Sequence, residues 1–575
     1  MLEHAPDLDG IVDVPTATED PAIGLPQRQK MEILFAVLLG IFLAALDQTI
    51  VGPALPTIVT QLSGNEYYTW AVTAFLLTST ISVPFWGKLS DLYGRKPMFM
   101  IGIVIFLIGS ALSGLSQDMT QLILFRGIQG IGAGSLFPIA LAVIGDMFTP
   151  QERGKYQGLF GAVFGIAFVV GPLVGGFLTE NFSWHWIFYV NIPIGLVALF
   201  VIWRLLPTIR NPHATRSFDV LGGVIFAVAI TFLLLGLTNK QFNDWATPSV
   251  GGFIAMALVG LVLFIFAERR AREPIIPLRL FRLRTYSSSM IATFFSAFAF
   301  FGAIVFLPRW FQVVQGYTPT ESGLAALPLM LGLILSSILS GQIVARTGRY
   351  KWLVVGAIVL MGISSALFTQ LDGSTDVTSV WIWMFIAGLG VGPTFAVFTI
   401  IIQNAVPFRD LGVATSNLTF FRQIGGAVAL AIVGTIFGTS FQDELVPQVA
   451  AAGVPEPVVA GLTQATASGG FDLDKLTGGG VGFDLGKAVL DGVPAAAQQF
   501  VAPYVDQIVQ GIFGAFSLAI AQTFYISIVA AVIAAVAAAT MVEHPLRSTA
   551  DARATSPAVG AGQPSAAGRT APTTD

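Results

Sequence analysis

Charged residues and cysteine are what this sequence has least of. Of its 575 residues only 11% are Asp, Glu, Lys or Arg, and none is Cys. Soluble domains carry about 25% charged residues, so this composition excludes a soluble globular protein. The lack of cysteine excludes disulfides, thiolate metal sites and a cysteine nucleophile, and the 4 histidines are too scattered to build a metal centre or a Ser-His site. A net charge of −4 argues against nucleic acid as a partner.

Apolar side chains, in contrast, make up 54% of the chain. A membrane-spanning helix needs about 20 largely apolar residues to cross about 30 Å of hydrocarbon. By this criterion the sequence predicts an all-α, polytopic membrane protein with fourteen transmembrane helices. The predicted spans are 31–53, 67–87, 97–115, 121–144, 155–179, 185–206, 218–237, 249–268, 286–311, 319–344, 351–371, 378–403, 411–439 and 510–541. The seventh and eighth are short and interrupted by glycine, and losing one of them would invert every later span.

The basic residues are distributed unevenly between the two sides of the predicted membrane. If residue 1 is cytoplasmic, 23 of the 29 Lys and Arg residues lie on the cytoplasmic side, as the positive-inside rule requires. The sequence therefore predicts a multi-pass protein of the cell membrane with both termini in the cytoplasm. Residues 1–30 are predicted to be an acidic tail and residues 545–575 a disordered one. The long outer loop 441–509 is interpreted either as a spacer or as helices lying on the membrane surface.

One short turn occurs twice in the chain. It is Gly87-Lys-Leu-Ser-Asp91-Leu-Tyr-Gly94-Arg95 after the second span and Gly341-Gln-Ile-Val-Ala345-Arg-Thr-Gly348-Arg349 after the tenth. The repeat predicts two related six-helix halves, 31–206 and 286–541, with the helix pair 218–268 inserted between them. Many secondary transporters are built from such repeats, with the substrate site between them near mid-membrane. Chance similarity of two tight basic turns is the alternative.

Several segments are typical of one transporter family. In chain order they are Leu46–Pro56, Gly87–Pro97, Arg126–Gly132, Gly171–Gly176, Trp186–Gly195 and Phe420–Gly426. Together they resemble the signatures of the major facilitator superfamily, and in particular its fourteen-helix drug/proton antiporters of the EmrB/QacA type. Three positions depart from the family pattern, namely Ala167, His185 and Ala345.

The resemblance implies the major facilitator fold of two six-helix halves plus two inserted helices. It also implies a monomer that exports lipophilic or cationic drugs or other small molecules by alternating access. The partners would then be a small lipophilic substrate, protons and the lipid bilayer, and the proton gradient would drive export without a cofactor.

Asp47 is the best candidate for the proton-coupling site. It lies about 24 Å from the cytoplasmic end of the first span, where an unpaired carboxylate costs at least ~2.5 kcal/mol. Arg126 lies at a similar depth in the fourth span, so we expect the two to interact directly, through Gln129 or through water. The alternative is that Asp47 and Arg126 are fixed anchors of helix packing.

The substrate cavity is predicted to be largely apolar and aromatic. Arg422 lies near mid-membrane, and the only acid predicted within the last six spans is Glu321, at an outer boundary. A lone guanidinium at that depth must face a polar cavity or a partner, so Arg422 is expected to bind an anionic or polar substrate group or backbone carbonyls. The substrate-binding candidates are Gln129, Arg422, Phe298 and Phe395.

The turn Gly87–Lys96 is interpreted as a gate on the cytoplasmic side. Asp91 is expected at the start of a helix from the other half, where the positive end of the helix dipole attracts a carboxylate, and Arg95 is expected to pair with Asp146. Closely spaced glycines and a proline in the fifth span suit a moving interface. The alternative is that the charges of the turn only set topology. The predicted gating residues are Gly87, Asp91, Gly94, Arg95, Lys96, Asp146, Gly171, Pro172, Gly175 and Gly176.

Two other functions remain open on the sequence alone. One is a dedicated exporter of an endogenous lipid, siderophore or amino-acid derivative, and the other is a passive channel. An enzyme is not expected, because no cluster of Cys or His supplies a nucleophile with its base or a metal site.

Overall fold

A computed structural model describes residues 25–62, 68–207, 218–240, 243–407, 410–467, 485–491, 495–543 and 546. These residues are almost entirely helical and include no strand, and 14 helices are long and apolar enough to cross a membrane. The fourteen predicted spans, including the short seventh and eighth, are therefore confirmed. They are α1 (Gln27–Gln61), α2 (Tyr68–Tyr93), α3 (Arg95–Ser113), α4 (Met119–Met147), α5 (Pro150–Asn181), α6 (Trp186–Leu205), α7 (Val220–Asn239), α8 (Pro248–Arg270), α9 (Arg284–Val313), α10 (Thr320–Thr347), α11 (Lys351–Phe368), α12 (Val377–Ala405), α13 (Leu411–Ala451) and α14 (Val505–Ala539).

Polar caps define several helix starts that the long apolar runs leave open. The Asp118 side chain accepts a hydrogen bond from the backbone N–H of Gln121 at the start of α4. At the start of α5, Thr149 and Glu152 form a reciprocal capping box. Each cap satisfies backbone donors that have no partner within the first turn of a helix.

The first part of the predicted loop 441–509 is helical, because α13 continues to Ala451. Phe441, Leu445 and Val449 recur at the spacing of one helical turn and are buried in the apolar cluster that includes α14. This stripe packs the segment along α14, so the amphipathic stretch 444–451 continues α13 as part of the same helix. Three short helices follow, Glu456–Ala467, Leu485–Asp491 and Ala495–Val501, and the glycine-rich centre of the loop, 469–482, lies outside the described residues.

The predicted tails fall largely outside the described residues as well. The last residues of the predicted tail are helical, because α1 already begins at Gln27. Arg28 and Glu32 form an ion pair one helical turn apart in this first part of α1, which favours helix there.

Several helix contacts join the first six helices to the last six, and among them α2 crosses α13 and α5 crosses α10. A Cβ atom placed on Gly87 would overlap Ser416 of α13, and one placed on Gly341 would overlap the backbone of Gly154 in α5. Gly87 and Gly341 hold the same position in the repeated turn, so the sequence repeat corresponds to a repeated close contact. We call the end of the bundle that carries these turns the basic end.

The inserted pair packs against both sets of helices. The ring of Phe226 in α7 lies 6.0 Å from Phe85 of α2 and 5.2 Å from Phe420 of α13. After α8 the chain crosses the basic end, where Glu273 accepts a hydrogen bond of 2.6 Å from Lys88 of α2. The α7–α8 pair therefore covers the α2–α13 crossing from outside.

Candidate functional site

A buried ion pair lies between α1 and α4. Arg126 Nη1 lies 2.6 Å from Asp47 Oδ2, and the two side chains are 2% and 0% exposed. Gln129, one turn further along α4, donates to Asp47 Oδ1 at 2.7 Å and accepts from Arg126 Nη1 at 2.9 Å. The Arg126 guanidinium also lies over the ring of Phe75, 4.2 Å from its centre. The interaction between Asp47 and Arg126 is thus direct, and Gln129 braces both partners.

Asn191 of α6 completes this network, and the sequence analysis did not single it out. Its Nδ2 donates to Asp47 Oδ1 at 2.9 Å and to Ser110 Oγ at 3.1 Å. The side chain is fully buried, and a buried amide needs hydrogen-bond partners. A single Asn in an otherwise apolar span was the signal that pointed to such a partner.

The arrangement ties the charge of Asp47 to the positions of three helices. The carboxylate accepts from Arg126, Gln129 and Asn191. A proton on Asp47 would convert an acceptor into a donor and would leave the Arg126 guanidinium buried without its counter-charge, which is costly. Protonation at this site therefore favours rearrangement of α1, α4 and α6.

A second charged cluster lies at the basic end. The carboxylate of Asp91 accepts hydrogen bonds from the backbone N–H groups of Gly412 at 3.1 Å and Val413 at 2.8 Å, in the first turn of α13, where the helix dipole favours an anion. Arg95 pairs with Asp91 and, through Nε at 2.8 Å, with Asp146. Both expected contacts of the turn are present, and they link α2, α3, α4 and α13.

Glycines in this turn allow the close approach. Gly94 has a φ of 101°, which side chains with a Cβ rarely adopt, and it turns the chain directly from α2 into α3. Gly87 lies at the α2–α13 crossing described above. Lys96 is half-buried and forms no ion pair with the part of the chain that the structure describes.

An uncharged contact also crosses the basic end. Gln157 Nε2 of α5 donates to Gln403 Oε1 of α12 at 2.8 Å, and Gln403 donates to the carbonyl of Leu141 in α4 at 2.9 Å. Sequence reasoning missed this contact, because amide side chains show neither charge pairing nor a depth preference that would link α5 with α12.

The glycine-rich part of α5 lies between α1 and α10. A Cβ on Gly171 would overlap Thr49, and one on Gly175 would overlap the Ile50 carbonyl, both in α1. On the other face, Pro172 and Gly176 lie close to α10, near Gly323 and Thr320 respectively. The four predicted residues thus pack against a helix of each set.

Arg422 lies among aromatic side chains, three helical turns into α13. Its Nη2 donates to the carbonyl of Thr394 at 3.1 Å, and its guanidinium lies over the ring of Phe395, 4.1 Å from the ring centre. Phe395 in turn contacts Phe164 of α5 and Phe300 of α9, each with ring centres 5.6 Å apart. The sequence analysis expected Arg422 to bind a substrate group or backbone carbonyls, and in the structure it binds the backbone carbonyl of Thr394.

Two observations concern the rest of the substrate-site prediction. Phe298 is buried against Ala429 of α13 and Ala530 of α14, and its role in substrate binding stays a prediction. The last six helices also hold more acids than expected, because the extended α13 includes Asp443 and Glu444. These lie about 30 Å along the helix from Arg422, too far to pair with it.

Comparisons with known proteins agree with this architecture. The family model of the Major Facilitator Superfamily matches residues 37–430. Multidrug transporter protein MdtP of Bacillus subtilis (strain 168) is 40% identical over 427 residues, which are 73% of this chain and 78% of that protein. Multidrug resistance protein 3 of the same organism is 36% identical over 422 residues, 73% of this chain and 82% of that protein.

Solved structures share the fold at low sequence identity. The proton:xylose symporter XylE aligns with a TM-score of 0.52 and 14% identity, covering 70% of this chain and 88% of that one. This likeness concerns the fold alone. Since the family model covers most of the fourteen-helix bundle, the chain is a multi-pass membrane protein that belongs to the major facilitator superfamily.

Proposed function

We propose that this chain is a proton-coupled antiporter that exports lipophilic or cationic small molecules, as a monomer and without a cofactor or catalysis. The observation that carries the proposal is the buried Asp47–Arg126 ion pair, braced by Gln129 and Asn191. A single protonatable group whose charge holds three helices together is suited to couple proton binding to helix movement. The relatives named as multidrug transporters support export of drug-like compounds.

Alternating access would use the two halves α1–α6 and α9–α14 as the moving units, with the basic end facing the cytoplasm. Two contacts join the halves at this end, Asp91 with the first turn of α13 and Gln157 with Gln403, and in this proposal they close it. Opening requires these contacts to break, so they set the balance between the two states. Pro172 and Gly176 lie where α5 would slide against α10, and Gly171 and Gly175 lie where α5 packs against α1.

Transport by the purified protein in proteoliposomes tests the proposal. With an imposed pH gradient, the wild type should accumulate at least one compound of a panel of fluorescent lipophiles against its concentration gradient. Asp47→Asn, which keeps the shape of the side chain but not its charge, should abolish uphill transport and retain downhill movement. Asp244→Asn, in the exposed turn before α8, is the matched control and should behave as wild type.

Two results would contradict the proposal. Uphill transport by Asp47→Asn equal to that of the wild type would remove the role of the ion pair. Downhill movement alone by the wild type, whatever the pH gradient, would indicate a passive channel.

A further inference from the structure

Arg422 is the deep charge that no acid neutralises within the described residues. Apart from Asp443 and Glu444, which lie about 30 Å along α13 from Arg422, three charged side chains lie well inside the described spans, Asp47, Arg126 and Arg422. The first two form the ion pair of the proton site, so their charges cancel. The net charge in the centre of the bundle is therefore the positive charge of Arg422.

Most N–H donors of the Arg422 guanidinium have no acceptor within the described residues. It carries five N–H donors in a planar fork, and its one hydrogen bond within the described part of the chain goes to Thr394. The ring of Phe395 covers one face of the group, so a ligand would meet the edge of the fork. A guanidinium fork matches the two oxygens of a carboxylate or sulfonate.

The surroundings of Arg422 are apolar and lie where the two halves meet. Phe395 contacts Phe300 of α9 on its own side and Phe164 of α5 on the other side. Phe164 continues the aromatic surface to Phe168, with ring centres 5.4 Å apart. A ligand bound here would place an apolar body against these rings and would touch both moving units.

A cation is poorly suited to this position. At separations of a few ångströms, like charges repel strongly in a low-dielectric surrounding, and no carboxylate of the described residues lies beside the rings to offset the repulsion. An amphipathic anion, in contrast, gains both an ion pair with Arg422 and burial of its apolar part.

We propose that Arg422, with Phe164, Phe300 and Phe395, binds the head group of a lipophilic organic anion, so that the transporter prefers anionic over cationic lipophiles. This inference rests on the proposed export function and narrows its substrate class. Its test measures binding at equilibrium without a proton gradient, so it is separate from any failure of proton coupling.

Tetraphenylborate and tetraphenylphosphonium are suitable probes, because they have nearly the same size and shape and opposite charge. Their binding to the full chain in nanodiscs is measured by equilibrium dialysis, with empty nanodiscs as the blank. We expect the wild type to bind tetraphenylborate at least about tenfold more tightly than tetraphenylphosphonium, which corresponds to about 1.4 kcal/mol. Arg422→Gln should remove this preference, and Arg422→Lys, which keeps the charge, should retain most of it.

Arg204→Gln, at an exposed position in the last turn of α6, is the matched control and should leave both affinities unchanged. If Arg422→Gln does not fold, the affinities of the wild type and of Arg422→Lys for the two probes still show whether the site prefers the anion. Equal affinities of the wild type for both ions, no binding of tetraphenylborate, or an anion preference that survives Arg422→Gln would each overturn the proposal.

Discussion

Asp47 shows how one carboxylate is held by side chains from different helices. Arg126 and Gln129 reach it from α4, and Asn191 reaches it from α6. Each donor replaces a water molecule that the carboxylate loses on burial, and leaving a buried polar group unsatisfied costs about 1–3 kcal/mol. The network is therefore a structural element of the first six helices as well as the proposed proton site.

Removing the Asn191 amide should destabilise the protein. Asn191→Ala leaves Asp47 Oδ1 with one donor fewer and Ser110 Oγ without the amide, so we expect the free energy of unfolding to fall by about 1–3 kcal/mol and Tm to fall with it. Thermal unfolding in detergent, followed by tryptophan fluorescence, measures the change. The control is Asn181→Ala at the exposed end of α5, whose amide bonds, within the described residues, only to the carbonyl one turn back. An unchanged Tm for Asn191→Ala would show that the amide does not support the network.

The sequence predicts the Asp47–Arg126 contact better than the rest of the network, for a physical reason. Helix rise converts position in the chain into depth, and two opposite charges at one depth in the membrane have few other partners. Asn191 is neutral, so its position in the span does not indicate which group its amide would bind. Which helices lie side by side depends on packing, which hydropathy does not report.

At the scale of single helices, the geometry of the bundle is determined by where helices end and where they cross. The apolar runs predict all fourteen spans, because crossing the hydrocarbon requires a minimum length. They do not predict that α13 continues to Ala451. The apolar stripe of Phe441, Leu445 and Val449 lies beyond the length needed to cross the membrane, so the length criterion does not apply to it. The repeated turn predicts a contact at the basic end, and the structure supplies the partner helices, α13 and α5.

The α2–α13 crossing should be intolerant of any side chain at Gly87. Gly87→Ala places a methyl group against Ser416 and the Gly412 carbonyl, so we expect overpacking to cost about 1–3 kcal/mol and transport to fall. Adding Ser416→Gly removes the nearest obstacle and should recover part of the stability. Thermal unfolding of the single and double variants measures both effects.

Gly356→Ala in α11 is the matched control, because nothing lies within 4 Å of the added Cβ. It should leave Tm unchanged or raise it slightly, since Ala favours helix over Gly. If Gly87→Ala is as stable as Gly356→Ala, the two helices are not in close contact at this crossing.

At the scale of the whole molecule, both kinds of contact at the basic end join one half to the other. Asp91 of α2 binds the first turn of α13, and Gln157 of α5 binds Gln403 of α12. Fixing either contact should therefore hold the halves together at this end. The complete lack of cysteine in the chain means that any cysteine introduced is the only thiol that a cross-linker can reach.

The pair Gln157→Cys and Gln403→Cys should make transport dependent on a thiol cross-link. Before treatment the double variant is expected to transport, and a short, reducible bifunctional thiol reagent should stop it, because the basic end can no longer open. A reductant should restore transport.

Ser440→Cys with Gln522→Cys is the matched control, because this contact of 2.6 Å joins α13 and α14 within one half, and its cross-link should leave transport intact. The measurement is accumulation of a fluorescent lipophile in proteoliposomes, with the extent of cross-linking read from residual free thiols. Full transport by the completely cross-linked Gln157→Cys/Gln403→Cys protein would show that the halves need not separate between α5 and α12, and alternating access at the basic end would be wrong.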